Sequence, residues 1–237
     1  MRNYLNLLKK VLAGNRREDR TRVGTIGTFG ERLEFDVSLD KFPIVTTKEI
    51  NFDAIRKELE WFLRGETNIN TLGCHIWDEW ADDQGDLGPI YGKQWTDWNG
   101  NQIDKLVKDL INNPYGRRHI VSAWNVGELD QMALPPCHIM FQCYVDSGVL
   151  SLQLYQRSCD MFLGVPFNIS SYCLLLLMLC EQTGYYPGKF IWVGGDCHIY
   201  ENHIEQVMLQ LERVPYPLPS IRSGELVNYK HWPAIKG

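Results

Sequence analysis

The segment Ile169 to Gln182 is apolar around most of a helical circumference, so it has no polar face to turn toward water. It is expected to form a central buried helix. Its longest apolar run, Leu174 to Cys180, is flanked by Ser170, Ser171 and Glu181-Gln182 and falls far below the ~20 residues that a membrane span needs. The other helices read as amphipathic and sit further out. Arg2 to Ala13 places Leu5, Leu8, Val11 and Leu12 on one face and stops at Gly14. Ala54 to Leu63 puts Ile55, Leu59 and Phe62 in register, with Gly65 just beyond. Ile103 to Ile111 is ended by Asn113-Pro114, and Ile204, Val207, Met208 and Leu211 mark a last helix.

Strand signals lie between these helices. Leu150, Leu152 and Leu154 alternate with Ser151, Gln153 and Tyr155, and Asp146-Ser147-Gly148 supplies a turn back to Ile139–Val145. Thr25–Phe29, Arg32–Asp36, Ile120–Trp124 and Phe190–Val193 are further candidates. Helices and strands mix without strict alternation, which predicts an α+β fold with a mixed sheet packed by helices. The 237 residues are enough for one well-buried domain and too few for two comfortable ones, and no repeat or linker divides them. The stretch after Pro215 is expected to be irregular chain wrapped on the domain.

A formal net charge of −5 argues against a general electrostatic grip on nucleic acid, though local arginines can still hold a small anion. Seven scattered cysteines read as reduced thiols in a reducing compartment. Met1 to Lys10 carries no apolar signal core, so a soluble, cytoplasmic chain is expected.

Cys137 follows Pro135-Pro136 and precedes a strand, so it stands at a rigid strand entrance. That position suits a reactive thiolate if a cation is near, and equally a buried structural cysteine. Gln156-Arg157-Ser158-Cys159-Asp160 ends the clearest strand; Arg157 can make bidentate bonds to a phosphate, or pair with Asp160 at the surface. Arg20, Arg22, Arg117 and Arg118 either converge on an anion or are solvated loop arginines. Three Cys-His dipeptides, at Cys74, Cys137 and Cys197, raise zinc. Their spacing is poor for it, because neighbours on a strand point to opposite faces. Aromatic clusters at Trp77–Trp80 and Tyr91–Trp95 form either core or the wall of a site for a flat heterocycle.

Taken in order along the chain, Thr46-Thr47-Lys48, Glu58–Leu63, Ile76-Trp77-Asp78-Glu79-Trp80, Gly88–Trp95, Ser122–Asn125, Leu134–His138, Gln156–Asp160, Pro166-Phe167-Asn168 and Gly195–Tyr200 resemble the thymidylate synthase family, including its pyrimidine hydroxymethylase relatives. The resemblance implies a sheet-mediated homodimer. It implies reductive methylation of deoxyuridylate (dUMP) to thymidylate (dTMP), with 5,10-methylenetetrahydrofolate as one-carbon and hydride donor and no metal. Cys137 would be the nucleophile at carbon 6 of uracil, with Arg157 lowering its pKa and holding phosphate. Arg20, Gln156 and Ser158 would bind dUMP, as would Asp160, His198 and Tyr200, and Arg117 and Arg118 would reach into the other subunit's site. Asn168 would read the uracil edge. Glu58 would organise proton-shuttling waters, and Tyr91 with His138 would assist loss of the carbon 5 proton. Lys48, Ile76, Trp77, Trp80, Asp160 and Gly164 would bind the folate.

Three features depart from the family's pattern. Glu49 and Asp53 stand where basic or polar residues usually meet the folate glutamate tail, which predicts weak preference for long tails. Glu60 replaces an apolar residue and, if buried, needs a partner or a proton. Ile235-Lys236-Gly237 has no apolar closing segment after it. If water reached the exocyclic methylene first, the product would be 5-hydroxymethyl-deoxyuridylate, which is the runner-up activity. A non-catalytic nucleotide- or RNA-binding relative is the third reading, opposed by the presence of Cys137, Asn168 and Glu58.

Overall fold

A computed structural model describes residues 1–18 and 22–237. Along the chain run α1 (Arg2–Leu12), β1 (Asn15–Arg17), β2 (Thr25–Asp36), α2 (Phe52–Leu63), α3 (Tyr91–Asp97), α4 (Gln102–Asn112), β3 (Ile120–Ser122), β4 (His138–Asp146), β5 (Val149–Asp160), α5 (Gly164–Thr183), β6 (Tyr186–Tyr200), α6 (Ile204–Glu212), β7 (Ser220–Arg222) and β8 (Glu225–Val227). Six strands form one sheet in the order β1-β2-β6-β5-β4-β3, and β7 and β8 form a separate hairpin. Only β5 and β6 pair in parallel, because α5 carries the chain back between them; the other neighbours in the sheet are antiparallel. The fold is α+β with a mixed sheet, as its sequence implies.

Helix α5 is the spine. By length and composition it could cross a membrane, but 72% of its most apolar window is buried inside the fold, so it is a core helix. It lies on the sheet face lined by Leu150, Leu152 and Leu154 of β5 and by Phe190 and Trp192 of β6, all buried. Helices α2 and α4 pack on its other side. Asn51 starts α2 by accepting a hydrogen bond from the Ala54 N–H (3.0 Å), and Asn101 does the same for α4 from Asp104 (2.9 Å). Ser147 and Gly148 both take positive φ, +51° and +80°, which a two-residue hairpin turn between β4 and β5 requires.

Several boundaries differ from the sequence reading. The two strands expected over 25–29 and 32–36 are one, because the register with β6 continues unshifted past Gly30 (φ +79°), from Phe29–Asp196 to Glu31–Gly194. The strands at 120–124 and 190–193 become Ile120–Ser122 and Tyr186–Tyr200. The central helix starts at Gly164 rather than Ile169, and α3 has no counterpart among the expected elements. The stretch after Pro215 is mostly irregular but contains the β7–β8 hairpin.

Candidate active site

The ends of β5 and β6, the first turns of α5, the entrance of β4 and the start of α3 meet at one cleft of ≈ 820 Å³. This is a size suited to small-molecule ligands, and in a parallel β–α–β unit ligands gather beyond the carboxyl ends of the strands. Fourteen of the residues expected from sequence line it, and they come from all parts of the chain. Cys137 and His138 enter from β4, Gln156, Ser158 and Asp160 from β5, and Gly164 and Asn168 from α5. His198 and Tyr200 enter from β6, Glu58 from α2, Tyr91 from α3, and Ile76, Trp77 and Trp80 from the loop between α2 and α3.

The thiol is held by its backbone. The Cys137 N–H donates to the Tyr91 hydroxyl at 2.7 Å, and the Cys137 carbonyl accepts from the Arg157 N–H at 2.8 Å. The Arg157 guanidinium grips the two residues before the thiol, donating to the carbonyls of Pro136 and Pro135 at 2.8 Å each, and lies 5.3 Å from the Trp124 ring. Two prolines leave their carbonyls as the available anchors, so the arginine fixes the turn that presents Cys137.

Next to the thiol stands an aromatic stack. His138 lies on Tyr91 and meets the Tyr172 hydroxyl through Nδ1 at 2.8 Å. Complete burial pushes its pKa down to about 3, so the imidazole is neutral at physiological pH. Glu58 accepts from the Trp77 indole N–H at 2.7 Å, and burial raises its carboxyl to about 7 against that bond. A carboxyl that titrates near neutrality can give or take a proton at working pH, as acid–base catalysis requires.

On the opposite wall, Asn168 accepts from Gln156 through Oδ1 at 3.0 Å. Asp160 is anchored by the N–H groups of Phe162 (2.9 Å) and Leu163 (3.1 Å), which turn the chain into α5. His198 Nδ1 lies 3.0 Å from Asp196. Trp77 and Trp80 meet edge to face, centroids 5.6 Å apart, and form an apolar wall with Ile76. Leu163, Leu134 and Phe167 add apolar lining that sequence reasoning missed, and Val23, Glu79, Asn202 and His203 line the cleft as well; Leu134, Glu79 and Phe167 sit inside the motifs named above, whereas the others carry no signal of their own.

Among the described residues, four expected site residues stand apart from the cleft lining. Arg157 is turned to the prolines. Lys48 is 3% exposed, donates to the Phe162 carbonyl at 2.6 Å and lies over the Phe162 ring, with its pKa lowered to about 8 by burial. Arg117 and Arg118 are exposed on the chain leading into the edge strand β3. Arg20 lies outside the described residues. No lysine or arginine among the described residues lines the cleft. Glu60 is a surface residue, 40% exposed and 3.3 Å from Arg56, so its departure from the family pattern needs no buried partner.

Among the described residues no group of three His, Cys, Asp or Glu side chains is placed to hold a metal ion. Cys197 is fully buried beside Cys159 while its neighbour His198 lines the cleft, as opposite faces of a strand dictate.

The cleft thus joins a thiol, a carboxyl titrating near neutrality, an amide and an aromatic wall. A family model described as thymidylate synthase matches residues 2–236, so the chain belongs to the thymidylate synthase family, enzymes that methylate or hydroxymethylate deoxyuridylate.

Proposed function

We propose that the protein methylates dUMP to dTMP through a covalent adduct on Cys137, with 5,10-methylenetetrahydrofolate as cosubstrate. The observation that carries this reading is the meeting of Cys137, Tyr91, Glu58 and Asn168 in one cleft. The Cys137 sulfur adds to carbon 6 of the ring, and the ring double bond's electrons move to carbon 5. Carbon 5 then bonds the folate-borne carbon, whose two bonds to folate nitrogens would break with their electron pairs going to nitrogen, and loses its proton toward the Tyr91 side of the cleft. The C6–S bond breaks at the end and returns the thiol. Glu58 manages protons at the ring's carbonyl side, which its near-neutral pKa suits. His198 and Tyr200 hold the sugar, and Gln156, Ser158 and Asp160 line the nucleotide's side of the cleft.

The residues also fit a folate. Ile76, Trp77 and Trp80 offer a flat apolar wall to a fused ring, Asp160 offers a carboxylate to its amino group, and Gly164 leaves the approach open. When bound, the folate supplies the carbon and the hydride and leaves as dihydrofolate. Lys48, buried under Phe162, would support this side indirectly.

The phosphate requires cations that the described cleft does not itself provide. Arg157 lies just behind the thiol, and Arg20 belongs to the same reading. The remaining charge would come from Arg117 and Arg118 of a second copy. A dimer is supported by the outer face of the sheet, where Met140, Tyr144, Tyr155, Ile191 and Val193 share the side opposite the buried Phe141, Leu152 and Phe190 and are half-buried or exposed. The proposal includes a reducing, cytoplasmic setting, since the nucleophile has to be a thiol.

The test is mass spectrometry after incubation with 5-fluoro-dUMP and the reduced folate. The expected result is a ternary adduct on the peptide carrying Cys137, lost in Cys137→Ala; absence of an adduct in the wild type overturns the reading. A parallel assay at the dihydrofolate absorbance separates the two products of the family. Hydride transfer oxidises the folate, whereas a 5-hydroxymethyl product forms without it.

A further inference from the structure

Gln156 is 2% exposed, and every polar atom of its amide has a partner. Its Oε1 accepts from the indole N–H of Trp192 at 2.9 Å. Its Nε2 donates both to the Ser158 carbonyl at 3.1 Å and to Asn168 Oδ1 at 3.0 Å. An amide can usually be turned over, because its oxygen and nitrogen look alike. Here it cannot. An indole nitrogen can only donate and a backbone carbonyl can only accept, so a flipped Gln156 would set N–H against N–H and oxygen against oxygen.

The constraint passes on to Asn168. Facing a fixed N–H of Gln156, Asn168 has to present its oxygen there, and this orients its own NH₂ group as well. Trp192 is fully buried, paired with Leu154 across the sheet at the level of β5, and does not line the cleft. It therefore acts at a distance, through two amides.

We infer that Trp192 is a specificity-determining positioning residue: together with the Ser158 carbonyl, its indole N–H sets the polarity of the Gln156 and Asn168 amides, and so selects a pyrimidine with N3–H beside a 4-carbonyl over one with bare N3 beside a 4-amino group. Resting on the proposed role of Asn168 at the base edge, the logic is one of matching dipoles. An oxygen held toward N3 and an NH₂ held toward position 4 meet uracil with two hydrogen bonds. The same pair meets cytosine with two clashes between like groups, and an unpaired polar group in a closed site weakens binding steeply. If the Asn168 amide were free to turn, it would serve cytosine as well, and the discrimination would fade.

The experiment is titration calorimetry of dUMP and dCMP against the full chain, as wild type, Trp192→Phe and Gln156→Met. The wild type is expected to favour dUMP. Gln156→Met is expected to lower the dUMP-to-dCMP affinity ratio by about tenfold or more, with dCMP binding held or improved, since Asn168 is then free to turn; Trp192→Phe, which keeps the Ser158 carbonyl, is expected to lower it by about threefold. Gln156→Met repeats the test without disturbing the Trp192 packing if Trp192→Phe fails to fold. A folded variant in which both nucleotides weaken by the same factor overturns the inference, because packing damage alone moves the two together. A wild type that binds neither nucleotide removes the proposed function and the inference with it, whereas dUMP binding with an unchanged ratio in the variants removes the inference alone.

Discussion

The imidazole of His138 lies flat on the phenol ring of Tyr91, centroids 4.0 Å apart and planes within 11°. The Tyr91 hydroxyl accepts from the Cys137 N–H, and the His138 ring is tied to Tyr172, so the stack holds the thiol's neighbourhood from two sides. Removing the Tyr91 hydroxyl leaves the Cys137 N–H without its acceptor and, on the proposed mechanism, removes the group that assists proton loss from carbon 5. Tyr91→Phe is expected to lower kcat by about 100-fold or more, the range of a lost acid–base group. Release of tritium from [5-³H]dUMP measures this step directly. Release at the wild-type rate would remove Tyr91 from it.

His138 also makes a pH prediction. Burial holds its pKa down to about 3, below the ordinary value of 6.5. The unfolded chain therefore takes up a proton below pH 6.5 that the folded chain refuses, and stability falls as pH drops from there toward 3. The slope from this one group approaches about 1.4 kcal/mol per pH unit. His138→Asn is expected to flatten the acid limb of a Tm-against-pH curve. An unchanged limb would mean that the imidazole is not buried as a neutral ring.

Glu58 acts with the opposite sign in a different window. Its folded pKa of about 7 lies above the carboxylate value of 4.5, so the folded state favours the proton and loses relative stability as pH rises from 4.5 through 7. Glu58→Gln removes that loss, and above pH 8 the variant is expected to be more stable than wild type by about 2–3 kcal/mol. Activity should move the other way, falling by about 100-fold as proton management is lost. Urea denaturation at pH 5 and pH 8 reads the first effect and steady-state assays the second. Equal stability differences at both pH values would place the Glu58 titration elsewhere.

How much of this was legible beforehand varies from residue to residue. Helix α5 could be read because Leu174 to Cys180 offers no polar face, but its first turns could not, since Gly164, Pro166 and Asn168 are weak helix signals, and Gly164 and Asn168 line the cleft. Helix α3 is seven residues long and stands on tertiary contacts, with Trp95 buried and Gln94 bonded to Pro89 and Glu128. Local periodicity has nothing to report there. Cys137 and Asn168 stood out within their motifs, yet only the fold brings Glu58 and Tyr91 to them. Side-chain direction was the least readable quantity. Nothing in Gln156-Arg157-Ser158 says that the arginine turns to Pro135 and Pro136 while the glutamine turns to Trp192.

The acidic residues after Lys48 acquire a smaller role than their charge implied. Asp53 is paired at 2.7 Å with both Arg56 and Lys57, so its charge is largely answered on its own helix. Glu49 is exposed and has no ion pair among the described residues. Repulsion of a folate polyglutamate tail therefore falls mainly on Glu49, at a surface site where such effects are a few-fold at most. Pentaglutamyl and monoglutamyl folates are expected to show similar KM values in the wild type, and Glu49→Lys to favour the longer tail by about threefold at low salt. A large advantage for the long tail in the wild type would contradict this.

The outer sheet face gives the last prediction. Tyr144 is 64% exposed in the middle of β4, opposite Ser151 and on the same side as Met140, Tyr155, Ile191 and Val193. A lone chain gains nothing by showing these side chains to water, while a second copy meeting them through a two-fold axis buries each patch against its equivalent. A charge in that patch would be repeated across the axis and desolvated twice. Tyr144→Asp is therefore expected to shift the protein to monomers in sedimentation velocity while leaving its far-UV circular dichroism intact. If Arg117 and Arg118 serve the neighbouring cleft, the monomer should also lose dUMP binding, although Tyr144 itself lines no part of that cleft. A monomeric variant that binds dUMP as tightly as the wild type would show that each chain supplies its own phosphate cations, and the two exposed arginines would need another explanation.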